Sequence, residues 1–417
     1  MLMDAKTLIN ESVADKFMRY VQVDTTSSEL SDETPSTPQQ WDLARMLEAE
    51  LEAMRLEDVE LDEHCFVLGR LPASPGVTGP PIGLVAHIDT VSGIPGSGVT
   101  PVLHRSYGGG PIQVGNGVVL DPADSPALAG AVGCDIVTSD GSTLLGADDK
   151  AGIADIMRAL AILVNDASIP RPDVWVCFTP DEETGKGVLK FPYDRFKAKI
   201  AYTFDGGELG ELSDETFNAV NGTVTIAGRS VHPGSARGKM VNALHLAGEV
   251  LASIPAGWRP ETTSEREGFI HPTDIEGNVE QVKIKMILRD FDQGFLEAKE
   301  AALVRTLAAI QERYPGASVR WDGSMGYRNM KAELNKDPRV VKMALRAMEM
   351  AGIRPVIKPI RGGTDGARMT FNGVLTPNIF TGGGDAHSRR EWACVQWMEK
   401  AAEVAVNLAR LWAQETQ

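Results

Sequence analysis

The chain predicts an α/β protein: a mostly parallel sheet with helices on both faces, plus an inserted α+β unit. Runs such as IGLVAH (82–87) and VWVCF (174–178) are apolar throughout, as strands covered on both faces require. They alternate with segments of helical apolar spacing, the order that builds parallel layers. From residue 219 to 327 the order becomes β-α-β-β-α-β, that of a ferredoxin-like domain. The expected division is therefore 1–218 with 328–417 as one domain and 219–327 as the second, and 417 residues are too many for one ordinary core.

The elements follow in order. Ile9, Val13, Phe17 and Tyr20 share one helical face, and Leu43, Leu47, Leu51 and Met54 share another. The first buried strand lies in IGLVAHIDT. Residues 91–140 are rich in Gly and Pro, show little periodicity, and read as a long functional loop. TLLGADDKAG leads into a helix with Ile153, Ile156, Leu160 and Val164 facing inward. VWVCFTP and IAYTFD read as two more buried strands. In the insertion, TVTIAG is a strand and MVNALHLAGEVLASI a helix. Two strands near 266–276 and 280–288 flank an EGN turn, a helix carries Leu296, Leu303, Leu307 and Ile310, and SVRW closes the unit. A helix over 337–351, strands in IRPVIKP and TPNIFTGG, and a helix over 392–412 complete the chain.

Composition narrows the function. Acids outnumber bases 57 to 41, for a formal net charge of −16. Nucleic-acid binding needs excess Lys and Arg, so that class is excluded, and an acidic membrane surface is disfavoured on the same ground. No run is long and apolar enough to span a bilayer, and the first residues have no apolar signal core, so a cytoplasmic location is expected. Cys65, Cys134, Cys177 and Cys394 lack CxxC spacing and read as reduced thiols.

The chemistry concentrates where strands end. IGLVAH ends in His87, with Asp89 beyond; VWVCFTP leads to Asp181, Glu182 and Glu183; IAYTF leads to Asp205; NIFTGGGDA leads to His387; and TLLGA leads to Asp148 and Asp149. Ligands in open α/β sheets gather at the carboxyl ends of strands. A single acid there is often a helix cap, but this recurrence is not explained by capping. Mixed imidazole and carboxylate donors suit zinc, manganese or cobalt, and their number exceeds what one catalytic ion uses. Two ions sharing a carboxylate fit better, and the turn before Asp148 could pin such a bridge.

HIDT, GADDKAG, PDEETG, FDGG, HPGSARGKMVNA, RDFD and GGTDGA, in this order, resemble the M20 family of metallopeptidases over nearly the whole chain, closest to its tripeptide aminopeptidases. The resemblance implies two divalent metal ions, zinc first and manganese or cobalt as alternatives. It implies His87, Asp148, Glu183, Asp205 and His387 as ligands, with Asp148 bridging through a cis peptide to Asp149. Glu182 is implied as general base and Asp89 as the carboxylate orienting His87, the two forming the catalytic pair. A water held between the metals would be the nucleophile. His232 is implied to meet the substrate or oxyanion. Asn242, Arg289 and Arg361 are implied to hold the C-terminal carboxylate of a short peptide, although Arg289 could instead pair with Asp290 or Asp292. A homodimer through the inserted lid is a further implication. The same core also serves dipeptidases, carboxypeptidases and N-acyl amino acid deacylases. One departure stands out: GGGDAHS replaces an aromatic-containing run, and Ser388 stands where the family usually has Gly.

Overall fold

A computed structural model describes residues 5–415. They form two compact units. The first holds the residues up to Asp214, Ala332–Lys358 and the chain from Thr364; the second holds Glu215–Lys331 and Pro359–Gly363.

The first unit is built on an eight-stranded sheet. Its order is Glu57–Leu61, Val67–Leu71, Val174–Thr179, Ile82–His87, Ile200–Gly206, Asn378–Phe380, Glu211–Ser213 and Val356–Ile357. The middle strands run parallel, from Val174–Thr179 through Asn378–Phe380. Antiparallel strands flank them on each side. Along these strands the side chains alternate between two cores. Leu84, Ala86, Val176, Phe178, Tyr202 and Phe204 face the helices Gln40–Ala53, Ala147–Asn165 and Val395–Trp412. Phe66, Val85, Cys177 and Ala201 face Phe191, Phe196 and Met369 of the helix Asp365–Phe371. Each of the larger apolar side chains among them, such as Leu84, Val176 and Phe178, stabilises the fold by about 1.5–3 kcal/mol relative to exposure. Gly83 has a specific packing cause: a Cβ there would stand 2.3 Å from the Phe196 ring.

The second unit has a four-stranded antiparallel sheet ordered Phe269–Gly277, Gln281–Asp290, Asn218–Ala227, Ser318–Tyr327. Helices Ala243–Ala252 and Gln293–Arg313 pack on it through Leu246, Val250, Leu296, Leu303 and Leu307. This is the ferredoxin-like arrangement. The seam departs from the 219 and 327 expected. Thr216 bridges Ile360, the Ile360 N–H donates to Glu215 O at 2.8 Å, and the Phe217, Phe269 and Phe291 rings form one cluster, so 215–218 and 359–363 join the second unit.

Other differences have local causes. The first helix is two, Ala5–Asn10 and Val13–Tyr20, because Ser12 caps the second by accepting from the Asp15 N–H. The long loop holds short strands Val102–His104, Ile112–Gly115, Val118–Leu120 and Ile136–Thr138. The last helix begins at Val395, since Trp392–Cys394 is instead a buried strand paired with Ile136–Thr138. All four cysteines are free. No described helix is long and apolar enough to cross a membrane.

Candidate metal centre

The parallel strands deliver His87 and Asp205 at their carboxyl ends, and Asp148 opens the helix Ala147–Asn165 beside them. His87 Nε2 lies 2.9 Å from Asp148 Oδ1 and 3.7 Å from Asp205 Oδ1. His387 Nε2 lies 3.1 Å from Asp148 Oδ2 and 2.7 Å from Glu183 Oε1. The two oxygens of Asp148 therefore face two different imidazoles. Donor atoms on one tetrahedral zinc stand roughly 3.2–3.5 Å apart, since each sits about 2.0–2.2 Å from the ion. The observed spacings scatter around that value, so this donor set fits a pair of divalent cations sharing Asp148.

The charges say the same. Burial lowers the affinity of His87 for a proton, yet its bonds to Asp148, Asp205 and Asp89 outweigh this and raise its pKa well above the usual value. Asp148 and Glu183 push His387 up to about 11. Burial raises Glu182 well above the ordinary glutamate range, with the Asp205 charge adding to it. Burial also raises Asp205 and Glu183, whereas in Asp148 it is outweighed by the two imidazoles, which hold that carboxyl low. Such crowded carboxylates call for positive charge among them, which divalent cations held by this donor set would supply in place of protons.

The supports are as specific as the donors. Asp89 is fully buried; its carboxylate accepts from the Glu182 N–H at 2.9 Å and the Glu183 N–H at 3.2 Å. His87 Nδ1 lies 3.1 Å from the Asp89 carbonyl oxygen and 3.4 Å from its carboxylate, which leaves Nε2 to face the cluster. Asp149 Oδ2 accepts from the His87 N–H at 3.0 Å. The Asp148–Asp149 peptide is cis. Gly152 makes room here: a Cβ would stand 2.0 Å from the Phe204 oxygen and 2.5 Å from Asp149 Oδ1.

Residues given no ligand or catalytic role from the sequence complete the site. Glu391 is buried and accepts the N–H groups of Leu145 at 2.8 Å, Gly146 at 2.7 Å and Asp148 at 2.9 Å, clamping the turn that presents the bridge. Burial pushes its pKa up to about 7 even against those donors. Asp365 accepts from Thr179 Oγ1 at 2.8 Å, and burial lifts it to about 7. Asp149 lies within ligand reach of His87 and Asp205. The available signals were GGTDGA for Asp365 and the four-residue step from His387 for Glu391. A cavity of about 570 Å³ adjoins the cluster, with Asp148 and Asp205 in its wall.

The remaining candidates lie in the second unit. His232 Nδ1 accepts from the Gly234 N–H at 3.1 Å, which leaves Nε2 as a donor. Asn242 caps the helix Ala243–Ala252 through Oδ1, at 2.9 Å from the Leu244 nitrogen. Arg289 Nη1 donates to Val220 O, Leu288 O and Asn221 Oδ1, and the guanidinium lies over the Tyr327 ring. Asp290 pairs with Lys299 and Asp292 caps the helix Gln293–Arg313, so neither serves as the partner of Arg289. Arg361 donates to the Glu265 and Glu267 carbonyls and to Thr263, and stacks on Phe217 and Phe269. That is the work of a structural clamp on the 263–267 loop.

Comparison with known proteins agrees with this geometry. A model of peptidase family M20/M25/M40 matches residues 141–411. Peptidase T of Geobacillus thermodenitrificans (strain NG80-2) is 44% identical over 410 residues, 98% of this chain and 100% of that protein. The crystal structure of aminopeptidase PepT from Bacillus cereus ATCC 10987 matches with a TM-score of 0.75 at 25% identity, over 99% of this chain and 100% of that one. The Bacillus subtilis YXEP protein, a dinuclear metal binding peptidase, shares the fold with a TM-score of 0.66 at 13% identity, over 97% of this chain and 98% of that one. The chain therefore belongs to the M20/M25/M40 peptidase family and is a peptide-bond hydrolase.

Proposed function

We propose that the chain removes the N-terminal residue from tripeptides, using two divalent cations, zinc foremost. The observation that carries this reading is the bridging stance of Asp148 between His87 and His387. His87, Asp148 and Asp205 would hold one ion, and His387, Asp148 and Glu183 the other. When bound, such a pair polarises the scissile carbonyl and makes water acidic enough to attack near neutral pH.

The protein's own groups do the rest. Glu182 binds neither imidazole; one of its carboxylate oxygens takes the proton of the attacking water and hands it to the leaving amine nitrogen. Asp89 fixes the Glu182–Glu183 turn through both backbone N–H groups, so proton carrier and ligand keep one spacing. His232 is assigned to the oxyanion through its Nε2–H. Asn242 and Arg289, which keep donors outside their structural bonds, are assigned to the peptide's C-terminal carboxylate. Arg361 is the weaker member of that group, since its donors hold a loop. The first unit, expected over 1–218 and 328–417, acts as the catalytic domain, and the second, Glu215–Lys331 with Pro359–Gly363, as a lid through which a homodimer forms. A cytoplasmic location goes with this assignment.

The test is an assay of unblocked di-, tri- and tetrapeptides and an N-acetyl tripeptide with added metal. Preferential release of residue one from the free tripeptide is expected. Equal cleavage at all lengths, or cleavage of the blocked peptide alone, would contradict the assignment.

A further inference from the structure

We propose that the cavity beside Asp148 and Asp205 is the subsite for the substrate's N-terminal residue, and that it selects lysine or arginine there. This rests on the aminopeptidase reading. In that reaction the attacked carbonyl belongs to residue one, so residue one is the part of the peptide set against the wall that carries these two carboxylates. Only one residue precedes the scissile bond, and a bounded cavity of about 570 Å³ accommodates a single residue better than an extended chain.

The lining explains both the size and the sign of the preference. The part of the wall made by Ala147, Gly206, Gly207, Gly383 and Gly384 carries at most a methyl group, which leaves volume for a long side chain. Away from the metal cluster and the clamp at Glu391, the charged lining is Glu208, Glu211 and Asp385 against Lys358. Lys358 Nζ lies 3.2 Å from Glu211 and 3.6 Å from Glu208, so its charge is already shared and the cavity stays negative. An α-ammonium together with a guanidinium or ammonium side chain provides donors and charge at once, whereas a glutamate side chain would add a further negative charge.

Xaa-Gly-Gly tripeptides headed by Arg, Lys, Ala and Glu test this on the metal-loaded protein. The expected result is kcat/KM at least about ten-fold higher for the Arg than for the Glu peptide. Asp385→Asn and Glu208→Gln should each lower that ratio about three-fold or more, with metal content unchanged. Gly207→Leu is the second probe, because a Cβ there meets Gly383 O at 3.7 Å and Glu211 Oε2 at 3.9 Å, so the larger side chain grows into the cavity. It should weaken the Arg peptide relative to the Ala peptide. A wild-type Arg-to-Glu ratio near one or below, a ratio that both charge variants leave intact, or equal loss on Arg and Ala peptides in Gly207→Leu would overturn the subsite. Failure to cleave any tripeptide would instead bring down the aminopeptidase reading, and the subsite with it.

Discussion

The two imidazoles of the centre face the same carboxylate, that of Asp148, but are supported very differently. The His87 side chain is 2% exposed and stands at the end of a fully buried strand, with its Nδ1 held by Asp89 and its backbone by Asp149. The His387 side chain is 48% exposed, on a loop, at a backbone φ of 58°. Among the described residues no carboxylate holds its Nδ1 as Asp89 holds that of His87. A rigid half and a loosely supported half share one bridge, so the two ions should differ in lability although their inner contacts look alike.

Removing the shared element has the largest effect. Asp148→Ala should leave neither half intact, lowering kcat/KM by about 10⁴-fold or more and stripping both ions, as elemental analysis would show. Glu182→Gln comes next: kcat should fall by about 10²–10⁴-fold while both ions remain, because the proton carrier is lost and no ligand is. The comparison itself is sharpened by His387→Ala against His87→Ala. The first should retain one tightly held ion and the second should not, and chelator titration of the wild type should release one ion well before the other. Simultaneous release would break the asymmetry. Glu391→Gln should weaken metal binding about 10–100-fold, because an amide has one acceptor atom where the carboxylate uses both to clamp the Leu145–Asp148 turn. The smallest change is Arg361→Ala, expected to destabilise the second unit by about 1–2 kcal/mol with little change in KM. A large rise in KM for tripeptides would return Arg361 to the substrate.

What the sequence revealed follows from range. The parallel strands were legible because both faces are covered, so the apolar runs are continuous, and their ends pointed to His87, Asp205 and the run Asp181–Glu182–Glu183, in which only the family resemblance separated Glu183 from Glu182. The ferredoxin-like unit was legible because its strands are long; Gln281–Asp290 alternates buried and exposed side chains along most of its length. The strands inside 91–140 were not, since segments such as Val102–His104 are too short to show a period. Trp392–Cys394 was absorbed into a helix because its partner, Ile136–Thr138, lies far away in the chain. Glu391 and Asp365 act through bonds to distant segments, and only folding brings them together. Asn242 shows the converse: a polar residue chosen for chemistry also has a local task as a helix cap.

The central claim is that Asp148 joins two cations, and anomalous diffraction from metal-loaded crystals tests it most directly. The account predicts two peaks about 3.5–4 Å apart, one beside His87 and Asp205, the other beside His387 and Glu183, with one oxygen of Asp148 on each. A single peak at full loading, or two peaks without Asp148 between them, would contradict it.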